Sequence, residues 1–253
     1  VTVTSSRRLA GIAAVVTGAS RGIGAATARR LAAEGACVAV IYRHNADEAA
    51  AVVATIEAAG GRALAVGGDI ASWDDVDRMV GAVEAAFGPV GVLVNNAGIH
   101  RAGRVHRLPV ADWDAVIATD LTGAFLCTRR VVPGMLERRF GRIVNVSSVI
   151  GLNGFPGDCA YAAAKAGLLG FTRALALELA PSGVTANAVT PGFVETDMTK
   201  GLSDAARTRT NRAIPLGRQA QCDEIADAVS FLVTGPDYVT GSTVTIDGGW
   251  SLA

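Results

Sequence analysis

The 253-residue sequence has no charge excess of either sign: lysine plus arginine and aspartate plus glutamate each number 23. No basic surface is expected to gather nucleic acid, and no net repulsion opposes self-association. Long apolar runs are also missing. Gly11–Val16 and Ile143–Val146 fall far short of the ~20 residues a membrane span needs. Val1–Arg8 is polar and has no apolar signal-peptide centre. Cys37, Cys127, Cys159 and Cys222 form no CxxC pair, so all four are expected to be small buried hydrophobes in a reducing compartment. His44, His100 and His106 lack metal-ligand spacing, so no metal is expected. These absences point to a soluble, cytoplasmic, metal-independent protein without nucleic-acid or membrane partners.

What is present is apolar. Half of the residues are hydrophobic, only 18% are charged, and 30 glycines are spread along the chain. That composition excludes a disordered tail protein and supports a large core in one unit, residues 1–253. Short aliphatic runs alternate with alanine-rich helical stretches. Ala13–Thr17, Cys37–Tyr42, Ala63–Val66, Val92–Val94, Arg142–Val146, Thr185–Val189 and Thr243–Ile246 read as strands. Ile23–Glu34, Ala46–Ala59, Trp73–Phe87, Ala111–Arg138, Ala160–Ala180 and Asp223–Val233 read as helices. Strands this apolar are buried on both faces, which predicts an α/β, doubly wound Rossmann-type three-layer sandwich around a seven-stranded parallel sheet. Gly35, Gly60–Gly61, Gly88, Gly141 and Gly183 stand where helices should stop. Four stretches belong at the binding crevice: Gly18–Gly22, Asn95–Arg107, Ser147–Asp158 and Thr190–Ile214. The last, about residues 190–214, is expected to be a substrate lid.

Thr17-Gly18-Ala19-Ser20-Arg21-Gly22-Ile23-Gly24 joins the first strand to the first helix. Glycines there let a pyrophosphate approach the backbone, and the helix N-terminus offers unpaired N–H groups. The spacing is GxxxGxG rather than GxGxxG. At the end of the second strand, Tyr42-Arg43-His44 carries no acid for a ribose hydroxyl. Arg43, with Arg21 from the glycine loop, would meet a 2′-phosphate instead, which predicts NADP(H).

These features occur in order with Asn95-Asn96-Ala97-Gly98, Ser148, Tyr161-Ala162-Ala163-Ala164-Lys165, Pro191-Gly192 and Asp247-Gly248-Gly249. The set resembles the short-chain dehydrogenase/reductase family over nearly the whole chain. Asn145–Ser148, Tyr161–Gly167, Pro191–Met198 and Ile214–Arg218 look most like 3-oxoacyl-[acyl-carrier-protein] and acetoacetyl-CoA reductases. The resemblance implies catalysis by Ser148, which holds the substrate carbonyl, Tyr161, which supplies the proton, and Lys165. Tyr161 and Lys165 are four apart and share a helix face. An ammonium at ~4 Å and an effective dielectric of ~20 is worth about 4 kcal/mol toward making a phenol a usable acid.

The resemblance further implies a cofactor site of Gly18, Ser20, Arg21, Gly22, Ile23, Gly24, Arg43, Asp69, Ile70, Asn96, Ala97, Gly98, Tyr161, Lys165, Val194 and Thr196. Asp69 and Ile70 would flank adenine, Asn96 the adenosine-side ribose, Lys165 the nicotinamide ribose, and Val194 and Thr196 the carboxamide. Gly248 and Gly249 would shape the C-terminal turn.

One departure stands out. Where the family has an asparagine in the helix before the serine, this chain has Asp120, expected to slow turnover or shift its pH optimum. An acidic acyl carrier protein would dock on arginines such as Arg129, Arg130, Arg138 and Arg139, although Ser182 replaces an expected basic residue. The implied function is NADPH-dependent reduction of a 3-ketoacyl thioester, carrier- or CoA-linked. The alternatives are a dehydrogenase of another secondary alcohol, such as a sugar alcohol or hydroxysteroid, and a non-catalytic NADP-binding regulator. A homotetramer is implied through Ala111–Arg138 and Ala160–Ala180, the latter presenting Ala162, Ala163, Ala166, Leu169, Ala174 and Leu175.

Overall fold

The computed structural model describes residues 8–196 and 203–252. Seven strands make one sheet: β1 (Ala13–Val16), β2 (Cys37–Tyr42), β3 (Arg62–Gly67), β4 (Val90–Asn95), β5 (Gly141–Val146), β6 (Val184–Pro191) and β7 (Thr243–Ile246). Their order is β3-β2-β1-β4-β5-β6-β7 and every pairing is parallel, the Rossmann arrangement expected from the alternating pattern. The strand order reverses between β1 and β4, the switch point at whose carboxyl ends parallel sheets of this kind bind ligands.

The helices are α1 (Gly22–Ala33), α2 (Ala46–Ala58), α3 (Trp73–Phe87), α4 (Val110–Ile117), α5 (Gly123–Arg138), α6 (Ile150–Asn153), α7 (Cys159–Leu179), α8 (Asp204–Ala213) and α9 (Cys222–Thr234). Strand side chains alternate between two cores. Ala14, Val16, Val38, Val40, Val92 and Val94 pack with Leu31 of α1, Ile56 of α2 and Ile225 of α9. Ala13, Val15, Ala39, Ile41 and Leu93 pack with Val80 of α3, Val131 of α5 and Leu179 of α7. The central strands β1, β2, β4, β5 and β6 are therefore mostly apolar on both faces, and the edge strands β3 and β7 are less buried.

The structure revises several expectations. The single helix expected over Ala111–Arg138 is broken by a π-turn, Ala118–Thr122, between α4 and α5. Gly35, Gly60, Gly88 and Gly183 take the positive φ that ends a helix, but Gly141 does not: Arg139 (φ +52°) caps α5, and Gly141 opens β5 against Met135. Cys37 and Cys127 are buried, and burial pushes the Cys127 thiol up to about 12; Cys159 and Cys222 are only partly covered. The lid expected over 190–214 falls in part on residues 197–202, outside the described residues. Of the remainder, Thr190 and Pro191 belong to β6, Val194 bridges to Ala220, and α8 fills 204–213. Leu169 and Leu175, expected on the outer face of α7, lie in its buried face, while Ala163, Ala166 and Ala174 are exposed. Among the described residues no helix is long and apolar enough to cross a membrane.

Candidate active site

The carboxyl ends of β1 and β4 are tied together by one hydroxyl and one amide. Thr17 Oγ1 accepts from the backbone N–H groups of Asn96 and Ala97, both at 3.0 Å. The Asn96 side-chain amide donates to the carbonyls of Thr17 (2.8 Å) and Gly18 (3.1 Å). Asn96 thus shapes the glycine loop from within. Gly18 has φ +62°, and an added Cβ would stand 2.8 Å from Ala97 Cα, so both backbone conformation and space demand glycine. Arg21 occupies the N-cap of α1 without a side-chain cap bond, which leaves the first N–H groups of that helix to an external acceptor. Ser20 and Ile23 flank Arg21 and Gly22 on this turn. Thr196 reaches the same turn: its Cγ2 lies 3.7 Å from where a Cβ on Gly22 would be. Val194, two residues earlier, is buried. A narrow backbone cradle ending on an uncapped helix N-terminus fits the pyrophosphate of a nicotinamide dinucleotide.

At the ends of β2 and β3 the structure brings Arg43 and Asp69 together, Nε to Oδ2 at 3.2 Å. Asp69 also accepts from the Ala71 N–H at 2.9 Å, a local turn that holds it in place. Ile70 is buried and packs against Gly123, where an added Cβ would meet Ile70 Cδ1 at 2.7 Å.

The second half of the site lies beyond β5. Ser147 and Ser148 are both buried; Ser147 Oγ donates to the Lys165 carbonyl at 2.7 Å and so seats α7 on the strand end. Ser148 Oγ accepts from the Ile150 N–H at 3.2 Å. Beneath them a buried chain of amides and hydroxyls crosses the layers. Asn95 donates to Thr128 (3.1 Å) and to Asn145 (2.8 Å), and Asn145 donates to Thr172 (2.8 Å).

Lys165 is almost wholly enclosed, 4% exposed at its side chain. Its Nζ donates to the Val146 carbonyl at 3.1 Å, faces Asp120 Oδ2 at 3.2 Å, and lies 5.4 Å from the Tyr161 ring centroid. Asp120 is equally enclosed because the π-turn winds it inward; its Oδ1 accepts from the Ile99 N–H at 2.8 Å. Its Oδ2 has the lysine as ionic partner and accepts no well-directed hydrogen bond. Burial lifts the Asp120 carboxyl above the ordinary carboxylate range, and the pull of Lys165 and the Ile99 amide only partly offsets it. Burial works against the Lys165 ammonium, but Asp120 and Tyr161 outweigh it and hold the lysine above its ordinary value. The site thus holds both protons more tightly than isolated side chains would. Gly98 forms the wall beside this pair: an added Cβ would stand 2.6 Å from Asp120 Oδ2 and 3.2 Å from Lys165 Nζ.

The fold therefore gathers Ser148, Tyr161, Lys165, Asp120 and Gly98 at the end of β5, and the glycine loop with Asn96, Ala97 and Thr196 at the end of β1. Arg43, Asp69 and Ile70 stand apart at the β2–β3 side. Sequence reading missed Thr17 and Ser147, whose hydroxyls bond only across the fold. The four arginines proposed for carrier docking all have internal partners. Arg129 lies over the Trp73 ring (4.7 Å), Arg130 pairs with Asp77 and Glu84, Arg138 donates to the Val90 carbonyl, and Arg139 to that of Pro181.

A parallel sheet in this order, with a glycine-rich first turn and a tyrosine and lysine one helical turn apart beside a serine at a strand end, defines a short-chain dehydrogenase. The short chain dehydrogenase family model matches residues 12–207, and the chain belongs to that family of oxidoreductases. It is similar to a 3-oxoacyl-[acyl-carrier-protein] reductase of Synechocystis, 49% identical over 93% of this chain and 95% of that protein. It is 45% identical to nodulation protein G of Azospirillum brasilense, over 93% of this chain and 96% of that protein. A solved Agrobacterium tumefaciens structure assigned as a gluconate dehydrogenase superposes with a TM-score of 0.93 at 33% identity, covering 98% of this chain and 99% of that one.

Proposed function

We infer that the protein is a reductase of 3-oxoacyl thioesters that uses NADPH, takes its substrate on acyl carrier protein, and releases the 3-hydroxyacyl product. The observation that carries this reading is the near full-length similarity to 3-oxoacyl-[acyl-carrier-protein] reductases at 45% to 49% identity. A reductase also needs an acid beside the hydride path, and the buried Lys165 next to Tyr161 supplies the setting for one.

When bound, the nicotinamide supplies hydride to the carbonyl carbon. Ser148 Oγ donates a hydrogen bond to the carbonyl oxygen, and the Tyr161 hydroxyl gives its proton to the alkoxide that forms there. The Lys165 ammonium stabilises the tyrosinate left behind and holds the nicotinamide ribose. Gly18, Ser20, Arg21, Gly22, Ile23 and Gly24 take the pyrophosphate at the start of α1, with Asn96, Ala97 and Gly98 as the facing wall. Asp69 and Ile70 flank the adenine, and Val194 and Thr196 orient the carboxamide.

Asp120 tempers this arrangement, because its charge opposes the field of Lys165 at the tyrosine. Asp120→Asn keeps the shape and removes the charge. The pH profile of alcohol oxidation is then expected to move, since the Lys165 ammonium no longer faces a carboxylate. The alkaline limit also falls, because Asp120 no longer holds the lysine proton. Superimposable pH profiles of the two proteins would assign Asp120 to packing alone.

Arg43 and Arg21 are the proposed holders of the 2′-phosphate. Arg43→Ala is expected to lower kcat/KM for NADPH by about 10- to 100-fold, the range of a lost hydrogen bond to a charged group, and to leave NADH nearly unchanged. Equal losses with both cofactors would remove Arg43 from cofactor choice.

We further propose a homotetramer through α5 and α7, whose exposed Phe125 and Leu177 leave apolar surface uncovered. Light scattering is expected to give four chains, and a monomer would contradict this.

A second reading, oxidation of a polar secondary alcohol, is favoured by the likeness to the gluconate dehydrogenase assignment. The 33% identity there, against 49%, weighs for the thioester. The deciding assay follows NADPH oxidation with acetoacetyl-ACP and acetoacetyl-CoA, and NADP+ reduction with gluconate. Turnover of gluconate alone would reverse the assignment, and no turnover at all would leave a dinucleotide-binding regulator.

A further inference from the structure

Tyr161 has a second neighbour that the reaction scheme does not use. His100 lies on the crevice loop after β4, and its ring stands perpendicular to that of Tyr161 (89°) with centroids 5.4 Å apart. The ring is held from behind. His100 Nε2 lies 2.8 Å from Asp158 Oδ1, and the Asp158 carboxylate is 7% exposed as a residue.

Asp158 is at the N-cap of α7, three residues before Tyr161. An aspartate there ordinarily accepts from the first N–H groups of its own helix, worth about 1 kcal/mol. Asp158 makes no such bond. Its oxygen goes to a ring 58 positions away in sequence. The backbone joins the same two loops: the Gly103 N–H donates to the Gly157 carbonyl at 2.7 Å, and Gly103 bridges to Asp158. A carboxylate only accepts, so it fixes Nε2 as the protonated nitrogen and sets the plane of the imidazole.

We propose that Asp158 and His100 form a brace that fixes the Tyr161 ring for proton delivery, making both positioning residues for the reduction. The proposal rests on Tyr161 being the proton donor. Without the brace the ring keeps its contact with Lys165 and its packing against Val116, Ala160 and Ala164, but loses the neighbour that fixes its orientation. An error of ~1 Å in a reacting group can cost about 100-fold in rate.

The test uses the full-length protein, with NADPH and acetoacetyl-CoA as the probes. His100→Ala is expected to lower kcat by about 10- to 100-fold and to leave KM for both probes within about twofold. His100→Phe keeps an aromatic neighbour and loses the Asp158 bond, so it should fall between His100→Ala and the parent. It also serves should the alanine variant fail to fold. Asp158→Asn retains an acceptor oxygen and is expected to restore most of the rate that Asp158→Ala loses.

The chain has three tyrosines, so ring-labelled tyrosine gives a short NMR spectrum in which Tyr161→Phe assigns the Tyr161 signal. Loss of the brace should shift or broaden that signal and leave Tyr42 and Tyr238 in place. Parent-like kcat with an unmoved Tyr161 signal in the His100 variants overturns the brace. So does a raised KM at unchanged kcat, which would make His100 a substrate contact. Activity surviving in Tyr161→Phe would instead strike the proton-donor reading itself, so the two failures are separable.

Discussion

Tyr161→Phe is expected to reduce kcat for 3-oxoacyl thioester reduction by about 100- to 10,000-fold, the usual contribution of a positioned general acid. The substitution removes one oxygen from a half-covered ring and leaves the ring contacts with His100 and Lys165 in place. Stability should therefore change little. NADPH binding, read by fluorescence, should persist, because the glycine loop lies at another strand end and is held by Thr17 and Asn96. Ser148 would still polarise the carbonyl, which accounts for the residual rate. Full activity in the phenylalanine variant would require a different proton donor, with His100 and Lys165, both beside the Tyr161 ring, as the first candidates.

Lys165→Met is expected to be the most damaging single change to both rate and stability. It removes the ammonium and leaves Asp120, with a side chain 0% exposed, as a buried carboxylate without its counter-charge. Breaking a buried pair from one side costs about 3–5 kcal/mol. The sign with pH follows from the carboxyl. Burial already lifts Asp120, and without Lys165 nothing but the Ile99 amide and the distant His100 resists that rise. The loss should therefore be largest at alkaline pH and shrink as acid protonates Asp120. In the parent protein Lys165 is raised as well as Asp120, and the lysine's contribution to stability is complete below the ordinary lysine range and fades only as pH climbs past it. Adding Asp120→Asn to Lys165→Met should recover most of the stability and none of the activity. Urea denaturation of the parent, the two single variants and the double variant reads the coupling directly. A methionine variant as stable as the parent at high pH would overturn the buried-pair account of Asp120 and Lys165.

The sheet and the glycine turn were legible from sequence because their signals are local. Val38–Ile41 can be read as doubly buried without knowing its neighbours, and Gly18 declares a turn by standing between a strand and a helix. Tyr161 and Lys165 declared a shared face through helical spacing. What stayed hidden depends on partners far along the chain. The Arg43 pairing with Asp69 spans two strand ends, and the meeting of His100 with Asp158 joins two loops. The internal partners of Arg129, Arg130, Arg138 and Arg139 were equally invisible, since an arginine in a sequence looks the same whether solvated or paired. Asp120 was found by its departure from a motif, but its inward direction was not, because apolar periodicity cannot register one extra residue in a single turn.

That extra residue has a wider consequence. An α-helix advances about 100° per residue, so inserting one position rotates everything after it by that angle relative to what came before. Before the wide turn, Val116 points into a small cluster with Ala160 and Ala164. After it, Cys127, Val131 and Met135 point into the large core against the sheet. A chain shortened by one residue between 118 and 122 could seat either of these faces but not both. What the packing demands of that segment is a count of residues, more than the identity of any of them.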